Sequence, residues 1–173
     1  FPGIVECQES MVFVFERMGE GLKVNSVPMI WSQIEPGESR VYVVEKEGIP
    51  ITEIEINTMD GERTEPYEEV ELSVSAYEQR PEFLDPVYQE GMVYRYMQIQ
   101  KLGISNENLE NNIIEFYVDS DWIEENDIDV DTMQLYRRSG NDWIELATTE
   151  VPDRMTEEYQ AFESVTDGFS FFA

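Results

Sequence analysis

The sequence predicts an all-β protein built as two small β-sandwich-like units, with one short helix near Trp122. Three observations carry that prediction. Apolar and polar residues alternate in several short runs, Gly, Pro, Asn and Asp separate the runs at close spacing, and no apolar pattern of helical period extends beyond about two turns. A chain of 173 residues with 41% hydrophobic and 12% aromatic side chains has the material for a core. Disordered chains, by contrast, are poor in aromatics.

The elements follow in order. Met11, Val12, Phe13, Val14 and Phe15 form an uninterrupted apolar run, which suits a strand covered on both faces or one completed by a partner. Residues 39–45 (SRVYVVE) read as a strand after the turn Glu35-Pro36-Gly37-Glu38, and residues 51–57 (ITEIEIN) alternate before the turn at Asp60-Gly61. The cleanest alternation lies in residues 70–76, where Val70, Leu72, Val74 and Ala76 share one face and Glu71, Ser73 and Ser75 the other. Two prolines, Pro81 and Pro86, then interrupt the pattern. The predicted domains are therefore residues 1–88 and 89–173, each a β-sandwich.

In the second unit, residues 92–101 are rich in aromatic and β-forming side chains, and Ile114, Phe116 and Val118 alternate with polar neighbours. Ser120 and Asp121 read as the N-cap of a short helix that carries Trp122 and has acids in its first turn. Residues 132–137 and 142–147 flank a loop, Arg138-Ser139-Gly140-Asn141, of the size and composition of a hairpin connection. Residues 158–164 and 168–172 complete the chain as strands. Trp122, Tyr136, Trp143, Phe169, Phe171 and Phe172 are expected to close one face of a sandwich as core residues without chemistry.

Charge narrows the partners. Eleven Lys and Arg stand against 38 Asp and Glu, a formal net charge of -27. Such a surface repels nucleic acid and anionic lipid, so neither is expected as a partner. Residues 1–88 hold 19 acids and six bases and residues 89–173 hold 19 and five, so the charge coats the whole molecule instead of forming a tail. Solubility, a salty or divalent-rich medium, and a cation-bridged assembly all accommodate it. No run approaches the roughly 20 apolar residues of a membrane span, so no membrane insertion is expected. The sequence has no Asn-x-Ser/Thr acceptor, and Phe1 without a preceding methionine fits a processed or excised N-terminus.

Chemistry finds little footing. There is no histidine, the usual general base near neutral pH and the usual nitrogen ligand for zinc. Cys7 is the single cysteine, so no intrachain disulfide forms, and its neighbours Glu6 and Glu9 disfavour the thiolate that a nucleophile needs. Its expected role is a buried small residue or an intersubunit crosslink. Paired carboxylates are uninformative among 38 acids. Asp127, Asp129 and Asp131 open like a calcium loop, but the sixth position is Thr132 where glycine is needed and the twelfth is Arg138 where a bidentate Glu belongs. They remain weak metal candidates, with a solvated turn as the plainer alternative. No cofactor is expected, divalent cations such as calcium apart, and the chain reads as no enzyme.

The second half carries a pattern. Phe116-Tyr117-Val118, residues 120–129 (SDWIEENDID), residues 132–137 (TMQLYR), residues 142–146 (DWIEL) and residues 168–173 (GFSFFA) resemble the PGF-pre-PGF domain of archaeal cell-surface proteins. The first half is compatible with that family's variable N-terminal portion. The resemblance implies export, an extracellular place at the archaeal envelope, and a structural or binding role without catalytic residues. The sequence given ends at Ala173 with no Ser/Thr-rich stalk, PGF tripeptide or membrane segment after it, which leads us to expect retention at the cell by binding or by polymerising.

The leading expectation is therefore a self-assembling subunit of a sheath, surface lattice or filament. Its partner would be itself, with other envelope components possible, and Cys7 and Met11, Val12, Phe13, Val14 and Phe15 would be the assembly residues. The alternative is a monomeric binding or adhesion module excised from a larger surface protein. A secreted enzyme comes third.

Overall fold

The computed structural model describes residues 23–87 and 91–173. Cys7 and the run Met11 to Phe15 lie outside the described residues. The protein is all-β with one short α-helix: β1 Lys23–Asn25, β2 Met29–Ile34, β3 Ser39–Val43, β4 Ile51–Asn57, β5 Tyr67–Tyr77, β6 Tyr96–Leu102, β7 Asn112–Asp119, α1 Ser120–Glu125, β8 Leu135–Ser139, β9 Asp142–Leu146, β10 Thr148–Glu150, β11 Tyr159–Thr166 and β12 Phe171–Phe172. All pairings are antiparallel. One sheet runs β1-β5-β6-β12-β8-β9, with β2 also on β5, and the other runs β10-β11-β7-β4-β3.

Alternation builds the two inner faces. In β7, Asn112, Ile114, Phe116 and Val118 are buried while the residues between them are half-buried, so one face of the strand lies against the opposite sheet. In β4, Ile51 and Ile54 both point inward although they are three positions apart, an odd spacing that should put them on opposite faces. A register irregularity between Ile51 and Glu53 against β7 resets the phase there. The two sheets share one apolar core, to which Ile34, Val70, Leu72 and Phe172 contribute from one side and Tyr42, Ile54, Ile114 and Phe162 from the other.

This arrangement corrects the expected division after residue 88. Seven residues of β5 pair with seven of β6 across that point, and β4 pairs with β7 across it in the other sheet. Each half supplies strands to both sheets, so there is one sandwich of two sheets and not one sandwich per half. Alternation reveals which face of a strand is apolar and says nothing about which strand lies beside it. Sandwich connections regularly put distant strands side by side.

The short strand β12 sits between β6 and β8 in the middle of the larger sheet. Tyr136 and Ala173 exchange N–H to O=C bonds of 2.9 and 3.0 Å, and the Ile99 N–H donates to the Ser170 carbonyl at 2.9 Å. Without β12 the β8–β9 hairpin has no bond to β6. The hairpin itself turns on Gly140 and Asn141, tighter than the four-residue loop expected.

Three further expectations need correction. The α1 N-cap is Asp119, one residue earlier than read from sequence; its carboxylate accepts from the N–H groups of Asp121 at 2.9 Å and Trp122 at 3.3 Å. Among the six expected core aromatics, only Phe169 and Phe172 are buried in the sandwich. Trp122 and Tyr136 are partly buried at its margin. Phe171 points to the outside of the larger sheet, its ring 5.4 Å from Phe83 and 6.2 Å from Tyr77, and Trp143 lies near Tyr96 on that side and donates to the Asp85 carbonyl at 2.9 Å. The stretch interrupted by Pro81 and Pro86, where the domain boundary was expected, is thus a strap over this outer face, with its own Leu84 buried.

Candidate functional site

The expected assembly segment and Cys7 cannot be placed, being outside the described residues. The described residues offer instead the margins of the sandwich. On one side the larger sheet ends in β1 and β2 and the smaller in β3; on the other they end in β9 and β10. We call these the first and second flanks.

The first flank is set up by a tight connection. Glu35 to Glu38 turn the chain from β2 in one sheet to β3 in the other, with Gly37 at φ +75°, a conformation that favours glycine. Buried Thr58 anchors the turn, accepting from the Glu38 N–H at 3.0 Å while its hydroxyl is 2.8 Å from the Glu35 carbonyl oxygen. The Glu35 N–H and then the neighbouring Arg40 hold the Glu38 carboxyl below its ordinary pKa. From β3, the buried Tyr42 reaches across to the junction of β1 and β2, donating to the Val27 carbonyl and lying 2.8 Å from Ser26 Oγ.

The composition of this flank departs from the rest of the chain. Residues 23–34 (KVNSVPMIWSQI) and 39–44 (SRVYVV) contain no acid, whereas the average density of the chain would place about four in eighteen residues. Lys23 and Arg40 are their only charges. Val27, Ile30, Val41 and Val43 are exposed to 80, 62, 45 and 52%. Natural edge strands carry charges, prolines or bulges that discourage pairing, or are very short. The β1–β2 edge is interrupted at Pro28 and β10 has only three residues, but β3 has five residues and a single charge, Arg40, which is paired with Glu38.

Backbone phase shows what β3 offers. The Thr58 N–H donates to the Glu38 carbonyl at 3.1 Å and the Val44 N–H to that of Thr52 at 2.8 Å. Alternation along the ladder then turns Arg40 and Tyr42 toward β4, and leaves the N–H and C=O groups of Val41 and Val43 facing away from it. Among the described residues no strand takes them.

The second flank has the opposite character. Because Tyr136 bonds to Ala173 on the β12 side, Leu135, Arg137 and Ser139 bond to β9, and the backbone groups of Trp143 and Glu145 face outward. Asp142, Glu145 and Glu150 are exposed, β9 and β10 carry no Lys or Arg, and Ile144 is 42% exposed.

A separate cleft of about 310 Å³ opens beside α1, lined by Met92, Met97, Met133, Phe116 and Val118 with Arg95 in its wall. The Arg95 Nε is buried without a hydrogen-bond partner, and its guanidinium lies 5.6 Å from the Tyr94 ring centroid. Burial raises the Tyr94 pKa above its ordinary value. The acids expected as weak metal candidates lie beyond the helix. Asp127 has φ +53°, and Asp129 caps a 3₁₀ turn by accepting from the Asp131 N–H at 3.1 Å. Among the described residues, no three Asp, Glu, Cys or His side chains gather in a way that would hold a metal ion, and no helix is long and apolar enough to cross a membrane.

No family model matches the chain, and no curated protein or solved structure matches it either. The resemblance noted in the second half therefore stands on its sequence pattern alone.

Proposed function

We propose that this chain is a structural, self-assembling subunit of an archaeal cell envelope, extracellular and non-enzymatic, whose copies join through the first flank. The observation that carries this reading is the pair of acid-free strand segments on the first flank, residues 23–34 and 39–44, in a chain of net charge -27, with β3 offering open backbone groups beside exposed Val41 and Val43. Main-chain bonds along such an edge supply affinity, and alternate side chains set register. The place at the envelope follows from the PGF-pre-PGF resemblance. Other envelope components are possible partners, and nucleic acid is not.

Repulsion between copies must be screened before edges meet. The Debye length falls from about 30 Å at 0.01 M salt to about 3 Å at 1 M. Light scattering of the purified chain should therefore report one copy per particle at low salt and growing particles at high salt, without turnover of ester, peptide or glycoside substrates. Particles of one copy at every salt and protein concentration would remove the reading.

The second reading, a monomeric binding or adhesion module, is favoured by the methionine-lined cleft at Arg95, since flexible thioethers adapt to varied apolar ligands. A chain that stays monomeric and binds an apolar ligand in a manner abolished by Arg95→Gln would favour it.

A further inference from the structure

Resting on the reading of the chain as a self-assembling subunit, we infer that the two flanks are the two halves of one joint, so that the first flank of each copy receives the second flank of the next. The argument begins with charge. The strand segments of the first flank, residues 23–34 and 39–44, carry Lys23 and Arg40 and no acid, with Glu35 and Glu38 confined to the turn between them, while the second flank presents Asp142, Glu145 and Glu150 and no base on its strands. A nearly neutral flank meets the acidic one with little repulsion and offers Lys23 to its carboxylates, whereas two second flanks brought together would set six carboxylates against one another. The pairing of Arg40 with Glu38 leaves Lys23 as the less neutralised cation of the two.

Backbone geometry points the same way. Val41 and Val43 on β3, and Trp143 and Glu145 on β9, direct N–H and C=O groups out of their sheets at opposite margins of one sandwich. Pairing first flanks only with each other would satisfy β3 and leave β9 open. Joining unlike flanks satisfies both edges in every copy. A contact between two different surfaces of one molecule does not close on itself at two copies; it repeats into a row or a ring.

Two variants and their mixture test this. Val41→Glu places an acid on the first flank at an exposed site. Glu145→Pro blocks the second, because the N–H it removes faces away from β8, a position where a strand tolerates proline. Circular dichroism and melting temperature establish that each is folded; Val43→Glu and Glu145→Lys replace either one that is not.

At salt concentrations where the wild type forms multimers, each variant alone should run as one copy by light scattering. The equimolar mixture should give two-copy particles and nothing larger, since one variant keeps a working second flank and the other a working first. A two-copy Glu145→Pro would overturn the inference, because first flanks would then pair with themselves. So would a mixture that remains single copies, or variants that assemble as the wild type does, and these results would leave self-assembly itself standing. A wild type that never exceeds one copy would instead remove the parent reading as well.

Discussion

Phe172→Ala should lower stability by about 3–5 kcal/mol, the range for deleting a fully buried aromatic side chain. Phe172 has no exposed surface, and it lies within the short segment, Ser170 to Ala173, that joins β6 to β8 in the larger sheet. The loss is thus both a cavity in the shared core and a weakened seam. Against a total of about 5–15 kcal/mol for a domain, such a loss would leave the fold marginal. Urea denaturation followed by tryptophan fluorescence measures it. A midpoint close to that of the wild type would mean that the seam is redundant. Phe171→Ala serves as the comparison: its ring lies outside the sheet against Phe83 and Tyr77, and its truncation should cost clearly less.

Asn112→Ala should cost about 2–6 kcal/mol. Asn112 has no exposed surface; its side-chain oxygen accepts from the Asn57 N–H at 2.8 Å, and its amide donates to the Thr166 carbonyl at 2.9 Å. One side chain on β7 thereby satisfies backbone groups of β4 and β11 on either side. Alanine would strand a buried donor and a buried acceptor, each worth about 1–3 kcal/mol when left unmade. Thermal unfolding of the variant checks this, and a shift of less than a degree or two would show that water reaches both groups.

Much of the fold was legible from alternation. The limits of β4 match the expected run of residues 51–57, and β3, β5, β7 and β11 lie where period-two patterns place them. The β1–β2 edge was not legible because Ser26, Val27 and Pro28 break its period, and Tyr42 and Val74 complete the break from a distance. Asn112 could have been found, since it occupies the phase of Ile114, Phe116 and Val118. A polar residue in a core-facing phase signals a buried hydrogen-bond role.

The first flank was hidden for a different reason. Counting acids over halves of the chain returned 19 on each side and a uniform coat, while the gap spans only residues 23–34 and 39–44. A narrower window shows it at once. What no window shows is that these two stretches share one margin of the sandwich, because the turn at Glu35 to Glu38 sends them into different sheets. The opposing acidic margin also depends on topology, with β9 and β10 separated only by Ala147.

The late arrival of β12 bears on how the chain is made. Residues 96–102 of the larger sheet leave the ribosome well before residues 171–172, an interval of about 3–14 s at elongation rates of roughly 5–20 residues per second. During that time the nascent chain has no closed larger sheet, and the β8–β9 hairpin has no attachment to β6. The two margins of the sandwich reach their final spacing only once residues 171–172 have joined β6 and β8.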